Sequence, residues 1–432
     1  MSDRTFLFLQ SHPSFYGKTL VKEMRSNGAK CHIINLSIGD WFFRFGTGAK
    51  NYFGKIRDWR SYLRNFIKKH AITDIVYYAD QKPYHRIARS LAYELGIATY
   101  AYEFGYLRPD WITIEKGGMG AFSHFPNDPR LIKKLAANVE YDQPQEHYPY
   151  PFLTEATCEV VYHMGNSLFF FLFHHYRADR YYHPWIDFPS YIPRLLRTKK
   201  MEAHAQDMIE KLAKENTEFF VVPMQIQSDY QIRRASHYEH MSEMVDEVMR
   251  SFKVHAPEKA QLVFKVHPLD NNIERWPRVI DEIASNYDLS DRVIVIDGGD
   301  LNKLIQYTKG VILINSTTGI LVLELGIPLK VLGIAIFDVP GLAHQGPLDD
   351  FWINPPEPDA ELTSAFLKLL TASVQIKGNF FTKKGKTAAA KEMSRRLLED
   401  DVNTNGAFVS PPPRLEQAKR RRVPMIYEDL EY

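Results

Sequence analysis

Four short segments hold the residues best suited to chemistry. Glu103-Phe-Gly-Tyr-Leu-Arg-Pro-Asp110 sets a carboxylate close to a glycine and follows it with Arg108 and Asp110. Those types suit a general acid/base carboxylate facing a cleft, or a turn closed by a salt bridge. Gln225-Ile-Gln-Ser-Asp229 gathers two amides, a hydroxyl and a carboxylate in five residues, as a purely structural polar loop also does. Lys265-Val-His267-Pro268 brings an ammonium and an imidazole ahead of a helix, an arrangement that suits phosphate. A lone histidine is otherwise a satisfied structural residue. Asn315-Ser-Thr-Thr-Gly319 offers the hydroxyls of Ser316 and Thr317 and backbone N–H groups at a helix start. That is a phosphate cradle or an ordinary N-cap. Glu324, in the helix that follows, meets a ribose hydroxyl or a packing neighbour.

Bringing these groups to one cleft needs elements that end there. Strand-like runs at Thr5–Leu9, Cys31–Leu36, Asp74–Tyr78 and Ala98–Tyr102 alternate with helical spacing at Phe15–Asn27, Tyr52–Lys69 and Pro83–Leu95. The rhythm returns after residue 200. Strands are read at Glu218–Val222, Gln261–Val266, Arg292–Ile296, Val311–Asn315 and Leu329–Leu332. Helices are read at Ser236–Phe252, Ile273–Ala284, Leu301–Tyr307 and Gly319–Leu325. Such alternation predicts βαβ units and parallel sheets, hence an α/β chain of two Rossmann-like domains. Ligands of open α/β sheets bind beyond the carboxyl ends of the strands, where the four segments lie. The division read is 1–129 for the first domain, on the acceptor side, and 130–200 for a helical, aromatic-rich insertion. The second, nucleotide-sugar domain is 201–375, and 376–432 are C-terminal helices and a loosely ordered polar tail.

The insertion holds HYPYPF, LFFFLF at Leu168–Phe173, and DRYYHPWIDFPSYIPRLL. Tyr181, Tyr182, Trp185 and Phe188 stand there beside His174, His175, Arg177, Arg180, Arg194, Arg197, Lys199 and Lys200. Aromatic and basic residues together suit a membrane interface; the plain alternative is packing on the first domain, and LFFFLF is short enough to be core. The basic run Lys419–Arg422 adds attraction or is a solvated tail.

Composition narrows the classes. The 432 residues carry 54 Lys+Arg against 52 Asp+Glu, a net charge of +2. That excludes nucleic-acid binding through a bulk positive field, and with 45% hydrophobic residues it excludes a disordered chain. Two cysteines, Cys31 and Cys158, give no disulfide framework and no zinc cluster. No signal-peptide pattern and no run of about 18 apolar residues point to a cytoplasmic protein, soluble or peripheral. No GxGxxG follows a strand and no GxxxxGK[ST] occurs, so hydride transfer and P-loop chemistry lose support. No HExxH or Asp-x-Asp loop is present, and no metal is expected.

EFGYLRPDWIT, QIQSD, KVHP and NSTTGILVLELGIP, in this order, resemble the KpsS-type capsule polysaccharide synthesis family over about residues 5–350. The resemblance implies a GT-B architecture and a retaining β-Kdo glycosyltransferase that uses CMP-Kdo. It implies a (lyso)phosphatidylglycerol acceptor at the inner membrane surface, as the start of a capsule linker, and other capsule synthesis or export proteins as partners. Carried onto this chain, His267 contacts the CMP phosphate, aided by Lys265, and Ser316 and Thr317 hold phosphate or ribose. Gln225 and Glu324 join the nucleotide-sugar side and Arg108 the acceptor side. Asp229 and Glu103 match the paired carboxylates. KpsC-type relatives tend to read Glu-Asp-Gly at the first motif, where this chain has Glu-Phe-Gly. Retention through two inversions needs a carboxylate nucleophile and an acid/base, for which Asp229 and Glu103 are the choices. Another nucleotide sugar, an epimerase, or a non-catalytic capsule assembly partner remain open from the residues alone.

Overall fold

Strands buried on both faces are written as continuous apolar runs, and the chain has two sets of them. The computed structural model describes residues 4–140, 144–215 and 217–424. Its first sheet contains β1 (Thr5–Phe8), β2 (Lys30–Asn35), β3 (Lys50–Asn51), β4 (Asp74–Tyr78), β5 (Ala98–Phe104) and β6 (Trp111–Lys116). The second contains β7 (Phe219–Pro223), β8 (Gln261–Val266), β9 (Val293–Asp297), β10 (Gly310–Leu313) and β11 (Leu329–Val331). A late strand, β12 (Gln375–Lys377), returns to the first sheet, giving the orders β12-β6-β5-β4-β1-β2-β3 and β11-β10-β7-β8-β9. The second sheet is wholly parallel. The first is parallel from β3 to β5 and antiparallel at β6 and β12. The architecture is therefore two Rossmann-like α/β domains.

Alternation along each strand feeds two cores per sheet. Phe6 and Phe8 pack with the helix Tyr16–Ser26 and the late helix Lys383–Glu399. Leu7 packs on the other face with Trp59, Leu63 and Leu91. In the second domain, Val263 and Val311 face Ala205 and Ile209, while Leu262 and Phe264 face Val245, Val248 and Trp276. The strand Gln261–Val266 and the segments Asp74–Tyr78 and Pro83–Leu95 match the sequence reading residue for residue. The strand read as ending at Tyr102 runs on to Phe104, so Glu103 belongs to its last residues rather than to the loop. The helix read at Ser236–Phe252 starts only at Met241 and runs to His255, and a short helix absent from the sequence reading, Tyr230–Ala235, precedes it. Ser236 ends the short helix: its hydroxyl hydrogen-bonds back to the Ile232 carbonyl and its backbone is extended.

The helix Pro184–Glu215 crosses position 200 without a break, so insertion and second domain share an element of about 48 Å. Two of the insertion's cations are held by carboxylates, and one of its tyrosines hydrogen-bonds a third. Arg194 pairs with Asp297 at 2.6 Å, Arg180 with Asp187 and Tyr182 with Glu274. LFFFLF is not core: only Phe173 is buried, and Leu168 to Leu172 are exposed. The stretch through SPPPR is not loose either. Arg414 is fully buried, and Arg421 donates to the Gly333 carbonyl and pairs with Asp338 at 3.0 Å. The last part of the tail, 425–432, lies outside the described residues. Among the described residues no helix is long and apolar enough to cross a membrane.

Candidate active site

In the second sheet the chain runs β7, β8, β9 to one side and then restarts with β10 on the other side of β7. Loops leaving a parallel sheet at such a switch point diverge and open a crevice. Here they are tied across it by amides. Gln225, after β7, donates to Asn315 Oδ1 at 2.9 Å and to Asp229 Oδ2 at 3.2 Å. The Asn315 N–H returns a bond to Gln225 Oε1 at 3.3 Å. Asp229 Oδ1 accepts from the Gln231 N–H at 2.9 Å and caps the helix Tyr230–Ala235. Both oxygens are thus oriented by donors, while the carboxylate lines the cleft. Burial raises its pKa; these hydrogen bonds and nearby Arg108 oppose the rise.

Glu103 meets this loop from the first domain. The Tyr230 hydroxyl donates to Glu103 Oε1, and Gln231 Nε2 lies 3.4 Å from Oε2. Burial pushes the Glu103 carboxyl up to about 7, against the Tyr230 hydrogen bond and with help from the charges of Asp80 and Asp229. A carboxyl at that value is poised to exchange a proton near neutrality. Glu103, Asp229, Tyr230, His267, Ser316 and Thr317 line one cavity of about 320 Å³ between the domains. Gly105 lets the chain turn away directly after the strand ends at Phe104: a Cβ there would sit 2.5 Å from Trp111 Cβ and 2.7 Å from the Leu107 carbonyl oxygen.

Of the other expected residues, His267 lines this cavity and Lys265 does not. Lys265 is buried, near Asp297 and Glu202, and its side chain is not part of the cavity lining. His267 is not a cation either. Burial, with Lys265 and Arg194 nearby, drops its pKa to about 4, and Nδ1 accepts the Leu269 N–H at 3.0 Å. That bond fixes the proton on Nε2, the donor left for the cleft. Positive charge at the mouth comes instead from exposed Arg108, which lies over the Phe104 ring at 4.9 Å. Glu324 does not reach the first cavity. It stands at the far end of the helix Thr318–Glu324, about 10 Å from Thr317, and lines a second cavity of about 730 Å³. The two cavities share Tyr106, Arg108 and Thr317. Among the described residues no group of three or more His, Cys, Asp or Glu is placed to hold a metal.

Sequence reasoning missed Tyr230, though it directly follows Asp229, and it missed the wall formed by Tyr106. The Tyr106 hydroxyl donates to Glu115 Oε1 at 2.8 Å, and its N–H donates to Gln375 of β12 at 3.1 Å. Glu115 is completely buried, and burial pushes it up to about 7. A carboxyl raised in the folded state contributes stability that is complete below its ordinary value and lost as pH rises through the raised one. Glu115→Gln does not titrate. The variant is therefore expected to gain about 2 kcal/mol on the wild type between pH ~5 and ~8, read from urea midpoints. A difference that stays flat with pH would show that Glu115 is ionised throughout.

Residues 73–381 match the family model described as capsule polysaccharide biosynthesis protein. The chain is 27% identical over 390 residues to the capsule polysaccharide export protein KpsS of Escherichia coli, covering 88% of this chain and 98% of that one. It is 31% identical over 395 residues to the capsule polysaccharide modification protein LipB of Neisseria meningitidis serogroup B, covering 88% and 92%. Among solved structures it is similar to the KpsC beta Kdo 2,7 transferase of Thermosulfurimonas dismutans, at 14% identity and a TM-score of 0.43 over 91% of this chain and 98% of that one.

Proposed function

The chain belongs to the capsule polysaccharide biosynthesis protein family, and from that premise we propose that it is a retaining glycosyltransferase moving Kdo from CMP-Kdo to a (lyso)phosphatidylglycerol acceptor at the cytoplasmic face of the inner membrane. The observation that carries the reading is the pair of carboxyls, Glu103 and Asp229, presented by different domains to one cavity and linked through Tyr230 and Gln231. In the first displacement the Asp229 carboxylate attacks the anomeric carbon and CMP leaves with the bonding electrons. In the second the acceptor hydroxyl attacks the same carbon, Glu103 takes its proton, and the Asp229 carboxylate is released. CMP is a good leaving group, so the departing phosphate needs donors more than an acid. His267 Nε2–H, the hydroxyls of Ser316 and Thr317, and Arg108 are the donors on hand.

The donor and acceptor are those the motif resemblance implies, and they are directly testable. Incubation with CMP-Kdo and phosphatidylglycerol is expected to yield a Kdo-lipid by mass spectrometry. Calorimetry is expected to show CMP bound more tightly than UDP. Tighter UDP binding would move the protein to another nucleotide sugar. Nucleotide binding with no product from any donor would make it a non-catalytic capsule partner.

A further inference from the structure

The first domain carries an apolar surface that its own core leaves uncovered. The helix Ile38–Phe43 is seated on the helix Phe152–Leu168 through Tyr162, which lies so close to Gly39 that a Cβ would fall 2.4 Å from its ring. The Gly39 N–H also donates to Asn166 Oδ1 at 2.8 Å. This seating turns Trp41, Phe42 and Phe45 outward next to the exposed turn at Phe170 and Phe171. Phe15 closes the patch, its ring 6.2 Å from Phe42. Phe45 is 62% exposed and Phe170 64%. Single exposed apolar residues are ordinary, but a contiguous aromatic patch built from three distant stretches of chain marks a contact surface.

The charges around it identify the occupant. Lys18 reaches over to the Phe45 carbonyl at 2.8 Å, and Lys386 lies 5.9 Å from the centre of the Phe15 ring, with exposed Lys383 and Lys384 in the same turn. Across the patch, desolvation lowers the His175 pKa, and His174, Lys55 and Arg57 stand near enough to add to the fall; the acid in that group is Asp58, which sits 4.0 Å from Arg57. Aromatic rings ringed by cations match the headgroup layer of an anionic bilayer, where rings sit at the interface and lysines meet phosphates. A protein partner of matching shape would need acidic groups around an apolar hollow; a bilayer offers both without shape.

We propose that this face is where the protein docks on an anionic membrane, an inference that rests on reading its acceptor as a lipid. The aromatics anchor and the lysine rim selects charge. Wild-type protein is expected to co-sediment with phosphatidylcholine vesicles containing one-quarter phosphatidylglycerol, to bind pure phosphatidylcholine weakly, and to lose the anionic preference in high salt. A variant carrying Trp41→Ser, Phe42→Ser, Phe170→Ser and Phe171→Ser is expected to bind the anionic vesicles at least about tenfold more weakly. Its urea midpoint and its transfer to a short-chain, water-soluble acceptor are expected to be unchanged. If that variant does not fold, Lys383→Glu with Lys384→Glu supplies the same test through the rim. Equal vesicle binding by variant and wild type overturns the proposal. So does a dimer in light scattering that the substitutions convert to monomer, which would assign the face to a second copy. Vesicle binding without transfer to the soluble acceptor leaves the docking face standing and sinks the proposed reaction; transfer without vesicle binding does the reverse.

Discussion

Asp229→Asn is expected to lower Kdo transfer by at least about a thousandfold while leaving the fold intact. The substitution is chosen because Asp229 has two roles that alanine would remove together. It caps the helix Tyr230–Ala235 through Oδ1 and accepts from Gln225 through Oδ2. Asparagine caps a helix as well as aspartate does, so its side-chain oxygen keeps the Gln231 bond; only the Gln225 bond is lost, and the urea midpoint is expected to move by about 1 kcal/mol. An amide is no nucleophile toward an anomeric carbon. A merely structural Asp229 would survive this change with its activity; a nucleophile would not. Glu103→Gln completes the argument from the other domain, with a loss of about 100- to 10,000-fold. A base must be ionised to accept the acceptor's proton, and Glu103 sits at about 7. Wild-type kcat/KM is therefore expected to rise with pH through that value and level off above it. The residual activity of Glu103→Gln is expected to show no such limb. Full activity in Asp229→Asn, or the same limb in both enzymes, would remove these residues from the reaction.

The parts of this site that local sequence reveals are those fixed by the sheet itself. A parallel strand ends in a loop at its carboxyl edge, so the apolar runs before Gln225, His267 and Asn315 already place those residues at the cleft. Lys265 shows the limit. Strand parity puts residues two apart on one face, which groups Lys265 with His267, but β8 ends at Val266, and only His267, in the loop beyond it, lines the cavity. Tyr230 carries no signal of its own, because its partner Glu103 is 127 residues away and on another domain. LFFFLF has core composition without core periodicity, and its exposure depends on how the helix Ile38–Phe43 is seated beside it. Glu324 follows the helix that Thr317 opens, yet seven helical residues carry it into the neighbouring cavity. β12 is three residues long and polar at both ends; it pairs with β6 only after the chain has crossed both domains.

That return crossing makes Arg414 the residue whose loss is expected to cost the most stability. Its guanidinium is completely buried and ties four carbonyls. Nη1 donates to Phe125 at 2.6 Å and Nη2 to Pro126 at 3.3 Å, both in the segment that follows β6. Nε donates to Ala335 at 3.2 Å and Nη2 also to Ile336 at 2.5 Å, in the second domain. Burial lowers its pKa to about 10, partly offset by Glu115, so it stays charged at neutral pH. Five donors in a fixed plane are what let one side chain serve both segments at once. Arg414→Met fills the volume but strands these carbonyls without donors, and removing one side of a buried charged network costs about 3–5 kcal/mol. Lysine offers one nitrogen in place of three and is expected to recover less than half of that loss. Ala335 and Ile336 also line the cavity that holds Glu103 and Asp229. Arg414→Met is therefore expected to weaken nucleotide binding along with the fold, so that CMP raises the variant's urea midpoint less than it raises the wild type's. An unchanged midpoint in Arg414→Met would mean that these segments hold together without this residue.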